Sequence, residues 1–192
     1  YFFFLLYLLH GCRVWSHDFR GRLVGQPGTV LGRAAAALRR AIRSRYTRLV
    51  VETGMGVFIT LEGPDGSGKS SLMPRLAAVL VTGGCEVVTT REPGSTPLGE
   101  LMRRLVLDVE PPIDRGGRAD ALLFAASRAQ HVDEVIAPAL ARGAVVLCDR
   151  YADSSLAYQG AGSGVPMDQL REVQRFATGG LVPDLTILLD LP

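Results

Sequence analysis

At 192 residues the chain is long enough to bury a core and short enough to hold one principal domain. Its net charge of +2 conceals a division: residues 1–54 carry nine Arg against Asp18 and Glu52, and the rest is net acidic, so bulk charge excludes that rest as a nucleic-acid binder. The 3 cysteines, at 12, 85 and 148, are too few and too widely spaced for a disulfide framework or a set of metal ligands, and fit a reducing cytosol.

The chain opens on YFFFLLYLLH, an apolar run far shorter than the roughly 20 residues that cross a bilayer. No basic segment precedes it and no small-residue cleavage site follows, which argues against a secretory signal. Residues 32–50, GRAAAALRRAIRSRYTRLV, have the composition of a basic amphipathic helix. The first Met is Met55, directly ahead of the first strand signal. Residues 1–54 are therefore expected to be a basic and apolar extension ahead of a domain over 55–192. Membrane contact is expected only if that extension belongs to the native protein.

From residue 57 strand and helix signals alternate. VFITLE (57–62) is a β-branched apolar run, and 69–82 reads as a helix with Pro74 in its second turn. EVVTT (86–90) reads as a strand, and PLGELMRRLVLD (97–108) as a helix. The long stretch 118–143 reads as a helix that loses regularity near Pro138. AVVLCD (144–149) is a third strand, 166–179 a further helix, and LTILLDL (185–191) a fourth strand. Apolar strands separated by helices predict an α/β fold with a buried parallel sheet flanked by helices.

Between the first strand and first helix lies GPDGSGKSS, in which Gly63, four further residues, and Gly68-Lys69-Ser70 satisfy G-x-x-x-x-G-K-[ST]. Glycines let backbone N–H groups converge on an anion, and the helix N-terminus adds partial positive charge. Pro64, Asp65, Gly66, Ser67 and Ser71 complete the loop. Lys69 is the only Lys in the chain, beside 20 Arg. A compact ammonium suits a tight phosphate loop in a way that a planar guanidinium does not. The loop predicts a nucleoside triphosphate, with Lys69 on its phosphates and Ser70 ligating Mg²⁺.

Further groups stand at strand ends, where open α/β sheets present ligand-binding residues. Asp149 and Arg150 follow the third strand: Asp149 suits the magnesium and Arg150 a second phosphate, although the two together also read as a structural ion pair. Arg91, Glu92 and a Pro-Gly turn follow the second strand. Phe124, Arg128 and His131 are spaced i, i+4, i+7 and share one helix face. An aromatic ring with Arg one turn later offers a surface for a base and a fork to read its edge; by itself Phe124 also reads as a core residue.

Taken in order, LEGPDGSGKSS, REPGSTPLGELMRRLVLD, ADALLFAASRAQHV, DRYADSSLAYQG and GLVPDLTILLDLP resemble the successive motifs of bacterial thymidylate kinases over residues 56–192. The resemblance implies a P-loop NTPase fold of the nucleoside-monophosphate kinase type, with three layers, transferring the γ-phosphoryl of ATP to dTMP with Mg²⁺ as cofactor. It implies that Phe124 stacks on thymine and Arg128 bonds its carbonyl edge. Ser155 and Gln159 then lie by the base and Tyr158 against the deoxyribose. Arg150, supported by Arg103, clamps the acceptor phosphate, and Asp65 and Glu92 lie near sugar and phosphate. Lys69, Arg150 and Asp65 form the catalytic set. The family usually has Gly where this chain has Ser95, in a turn that a positive φ would strain. It also often draws an arginine from a lid after the fourth strand, so the chain reads as truncated at its C-terminus. A homodimer in the cytoplasm without nucleic acid is the implied setting. The alternatives are another nucleoside-monophosphate or deoxynucleoside kinase, and a non-catalytic P-loop protein with a membrane-associated N-terminus.

Overall fold

The computed structural model describes residues 56–110 and 115–190. The extension expected over 1–54 lies outside the described residues. The elements are β1 (Val57–Glu62), α1 (Lys69–Thr82), β2 (Val87–Arg91), α2 (Pro97–Arg103), α3 (Gly117–His131), α4 (Ala137–Ala141), β3 (Val145–Asp149), α5 (Ala152–Ser155), α6 (Met167–Ala177) and β4 (Leu185–Leu188). The strands form one sheet in the order β2-β3-β1-β4, with β1 parallel to both β3 and β4.

The chain divides into two compact units. Among the described residues, the first comprises those up to Thr89, Ala139–Asp149 and those from Pro183; the second comprises those between Thr90 and Pro138 and those between Arg150 and Val182. In the first, all six residues of β1 are buried, as a central parallel strand requires. Val57, Ile59 and Leu61 cluster with Leu76 and Leu80 of α1, Val145 and Leu147 of β3, and Leu185 and Ile187 of β4. The register sets Leu61 opposite both Asp149 and Ile187, so the C-terminal ends of β1, β3 and β4 share one edge. Asp184 fixes the start of β4: its Oδ2 accepts from Phe58 N at 2.8 Å, and its own N–H donates to Phe58 O at 2.8 Å.

The second unit is helical. α3 packs against α2 and α6. Ala121, Val165 and Leu170 form an apolar cluster, with Leu156 packed against it. Arg115 ties α3 to the segment after α2, pairing with Asp120 at 2.6 Å and donating to the carbonyls of Leu105 and Val106.

The differences from the sequence expectations are local. The helix expected over 97–108 keeps α geometry to Arg103 and widens into a π-helical turn over Arg104–Asp108. The long helix changes over to π geometry at Val132–Ile136, just ahead of Pro138. Residues 152–162, left unassigned by the sequence pattern, are helical: α5 runs into a π-helical stretch over Leu156–Gly162. The buried positions there include Ser155, Gln159 and Gly160, so no apolar period announces a helix. Among the described residues, no helix is long and apolar enough to cross a membrane.

Candidate phosphate loop and base-reading cluster

In the first unit, β1 delivers the chain into the loop at Gly63, and α1 starts at Lys69 with Gly68 as its N-cap. Two glycines are required by geometry. Gly63 has φ 141°, and a Cβ there would lie 2.3 Å from the carbonyl oxygen of Leu189. Gly68 has φ 93°, a left-handed conformation that costs an ordinary residue roughly 1–2 kcal/mol. Pro64, Asp65, Gly66 and Ser70 are exposed along the loop, with Ser71 following on α1. Ser67 turns inward; its N–H donates to Pro64 O at 3.2 Å, while its buried hydroxyl has no hydrogen-bond partner among the described residues.

Lys69 is 6% exposed, and its Nζ donates to the carbonyls of Gly63 and Pro64, both at 2.9 Å. The ammonium is thereby laid back over the loop that precedes it. That places a buried positive charge beside the N-terminus of α1, whose first N–H groups have no partner within the helix. Asp149, half-buried, ends β3 opposite Leu61, on the edge from which the loop departs. The Ser70 hydroxyl and Asp149 carboxylate are hard oxygen donors, a set that fits Mg²⁺ together with phosphate oxygens and water.

The second unit is organised around Arg128, which is 1% exposed. Its Nε donates to Glu92 Oε2 at 2.7 Å, one Nη1 hydrogen bond goes to Ser155 Oγ at 3.1 Å and another to Gln174 Oε1, and Nη2 donates to the carbonyl of Tyr151 at 2.9 Å. Its guanidinium also lies 5.3 Å from the centre of the Tyr151 ring. A guanidinium carries five N–H groups. Among the described residues these bonds engage four, and the remaining one is on Nη2.

Glu92 is tied at both oxygens. Oε2 takes Arg128, and Oε1 meets His131 Nδ1 at 2.9 Å. His131 Nε2 in turn meets Thr90 Oγ1 at 2.6 Å. Phe124, half-buried, precedes Arg128 by one turn of α3. Gln159 is buried in the π-helical stretch after α5. Ser127 Oγ and Gln174 Nε2, both buried, lack a partner among the described residues.

Two other predicted residues meet each other near the start of α5. Arg150 has φ 69°, and its guanidinium lies 5.4 Å from the ring centre of Tyr158 and donates to Ser154 Oγ at 3.2 Å. Arg103, on α2, donates to Pro93 O at 3.0 Å. The turn that carries Pro93 is held by Ser95, which does adopt the strained conformation anticipated for it, φ 67°. Its hydroxyl accepts from Arg91 N and donates to Arg91 O, each at 3.1 Å, and its N–H donates to Glu100 Oε1 at 2.8 Å. That N–H, followed by the Arg91 guanidinium 2.9 Å away, holds the Glu100 carboxyl below its ordinary pKa.

The structure thus gathers Glu92, Arg128 and Ser155 into one hydrogen-bonded cluster, and Arg150 with Tyr158 into a second pair. Sequence reasoning missed Thr90, Gln174 and the Tyr151 carbonyl, and gave His131 a face without a role. Gln174 carried a signal. Leu170, Gln174 and Ala177 form the buried i, i+4, i+7 face of α6, and a lone amide on such a face needs a polar partner.

The thymidylate kinase family model matches residues 61–192. The chain is 57% identical over 136 residues to the thymidylate kinase of Deinococcus radiodurans, covering 71% of this chain and 65% of that protein. It is 54% identical over 143 residues to the thymidylate kinase of Herpetosiphon aurantiacus, covering 72% of this chain and 58% of that protein. The chain therefore spans a little under two thirds of these curated relatives. The crystal structure of thymidylate kinase from Ehrlichia chaffeensis is similar at a TM-score of 0.65 and 36% identity, covering 72% of this chain and 78% of that one.

Proposed function

Because the chain belongs to the thymidylate kinase family, we propose that it transfers the γ-phosphoryl group of ATP to dTMP, giving dTDP. The loop over residues 63–71 holds the ATP phosphates, with Lys69 on the β- and γ-phosphates and Asp65 near the reacting groups. Ser70 and Asp149 hold Mg²⁺, which when bound neutralises phosphate charge and fixes the oxygens it ligates. In the second unit Phe124 stacks on thymine, and the uncommitted N–H of Arg128 bonds a carbonyl of the base. Ser155 and Gln159 flank the base, and Tyr158 packs against the deoxyribose. Arg150 and Arg103 hold the acceptor phosphate. Glu92 serves by holding Arg128.

Phosphoryl transfer needs little covalent help; it needs two anions aligned and their charge neutralised. The chemistry asked of Lys69 and Arg150 is of that kind. The same reading takes 55–192 as kinase domain and 1–54 as an extension, and expects a cytoplasmic homodimer. The observation that carries the substrate assignment is the buried Arg128, immobilised by four acceptors with one N–H left over. Such a group favours a base that presents a carbonyl over one that presents an amine.

The test is calorimetric titration with ATP, dTMP and dCMP, paired with an assay for dTDP. Lys69→Ala is expected to weaken ATP by roughly a hundredfold or more, since two or more charge-assisted hydrogen bonds are lost. Its affinity for dTMP should not change. Unaltered ATP affinity rejects the loop assignment, and preference for dCMP over dTMP rejects the substrate.

A further inference from the structure

Resting on the dTMP reading, we propose that His131 is a positioning residue for Arg128. It acts through Glu92, so that the buried chain Thr90–His131–Glu92–Arg128 sets the recognition of a pyrimidine carbonyl. The four residues are 7%, 0%, 5% and 1% exposed, in that order. Their successive contacts are 2.6, 2.9 and 2.7 Å.

The proton directions follow from the ends of the chain. A carboxylate only accepts, so His131 Nδ1 carries the hydrogen that meets Glu92 Oε1. In the neutral imidazole the other nitrogen is then an acceptor, and it takes the Thr90 hydroxyl proton. Thr90 and Glu92 come from the end of β2 and the residue just beyond it, while Arg128 and His131 lie one turn apart on α3. The helix therefore grips one carboxylate with two side chains, one oxygen each.

That grip matters because Glu92 is the partner of Arg128 at Nε, whereas Ser155, Gln174 and the Tyr151 carbonyl hold the two η nitrogens. The terminal torsion of a glutamate is soft. Without the His131 donor, Oε1 becomes a buried acceptor without a partner, and the carboxylate turns to recover one. The guanidinium plane turns with it, and the remaining Nη2 hydrogen leaves the line on which a base carbonyl would meet it. A histidine that only filled space would affect stability without affecting which base is preferred.

The experiment titrates the 192-residue chain with dTMP, dCMP and ATP, for wild type, His131→Leu, His131→Asn and Thr90→Val. His131→Leu is expected to weaken dTMP about tenfold, in the range seen when a supporting hydrogen bond is removed from a binding group. ATP affinity should hold within about twofold, and the preference for dTMP over dCMP should narrow. Asn carries an amide nitrogen close to the position of Nδ1, so His131→Asn should keep most of the dTMP affinity. Thr90→Val, at the far end, should lose dTMP affinity by about threefold. Should His131→Leu fail to fold, the other two variants decide: a loss confined to dTMP in Thr90→Val, with His131→Asn near wild type, supports the proposal. Variants that lower Tm but leave the dTMP/dCMP preference at the wild-type value overturn it. A wild-type chain that binds ATP but no dTMP instead overturns the substrate reading, and the role of His131 falls with it.

Discussion

On the proposed function, the two units meet their ligands by opposite means. The first rests on an apolar cluster shared by β1, α1, β3 and β4, and offers phosphate a glycine-rich backbone and a single lysine. The second has a polar interior. Of the 15 buried polar or charged residues described, ten belong to it: Thr90, Glu92, Thr96, Ser127, Arg128, His131, Ser155, Gln159, Gln174 and Thr178. Phosphate is a diffuse anion that converging N–H groups and a helix terminus can hold. A base must be told from another by donor and acceptor positions, which demands directional side chains buried and fixed in place. On the proposed function, anion binding would therefore rest on the backbone, whereas base reading would depend on a side-chain network.

The largest effect expected from this contrast concerns the charged pair at the centre of the network. Arg128→Met leaves Glu92 as a buried charge without its guanidinium and should cost about 3–5 kcal/mol of stability. Adding Glu92→Gln removes the stranded charge and should recover part of that loss. In the first unit Leu147→Ala should cost about 2–5 kcal/mol through the cavity it leaves, with no second substitution of that kind to restore it. Denaturant unfolding of the three variants gives the comparison. An Arg128→Met chain as stable as wild type would show the network to be dispensable to the second unit.

The same contrast explains what the sequence disclosed. β1, the loop and α1 were legible because each signal is local: a β-branched run, spaced glycines, a lone lysine and a helical period. The helix ends agree at Lys69 and Thr82. In the second unit α2, α3 and α6 were legible as helices, but the polar cluster only where a motif or a helix face flagged single residues, as with Arg128 and Ser155. That Arg128 meets Gln174 depends on α6 lying beside α3, and no period within either helix states it. The helix at 152–162 was hidden for a related reason, since its inward side includes Ser155, Gln159 and Gly160 and shows no apolar stripe.

A smaller effect tests whether a polar side chain in the second unit offsets backbone strain. Ser95, at φ 67°, would gain from Gly by relief of a left-handed conformation, but the change removes both hydroxyl bonds to Arg91. These oppose each other, so Ser95→Gly should fall within about 1 kcal/mol of wild type. Ser95→Ala keeps the strain and loses the bonds, and should be the less stable of the two. The turn also carries a pH dependence. Glu100 has a folded pKa below its unfolded value, so its contribution is present at neutral pH and fades as pH falls through the carboxylate range toward the folded value. Glu100→Gln should flatten the acid side of the Tm profile. A steeper acid side in that variant would reverse the sign assigned to the Ser95 contact.

A net effect close to zero is expected of a paired replacement in the first unit, at its own buried polar pair. Thr60 of β1 and Thr186 of β4 stand in direct register, and their hydroxyls are 3.0 Å apart with the side chains buried. Replacing one by Val leaves the other hydroxyl without its partner in the interior and should cost roughly 1–3 kcal/mol. Replacing both removes donor and acceptor together and puts two β-branched side chains of similar shape on adjacent strands. That double variant should lie within about 1 kcal/mol of wild type, because nothing polar is stranded and Val suits a buried parallel strand. The singles and the double form a cycle whose coupling energy should nearly cancel the single costs. If the double variant costs as much as the two singles combined, the pair is not exchangeable for apolar packing. The first unit would then depend on buried polar geometry as the second does, and the contrast between them would not hold.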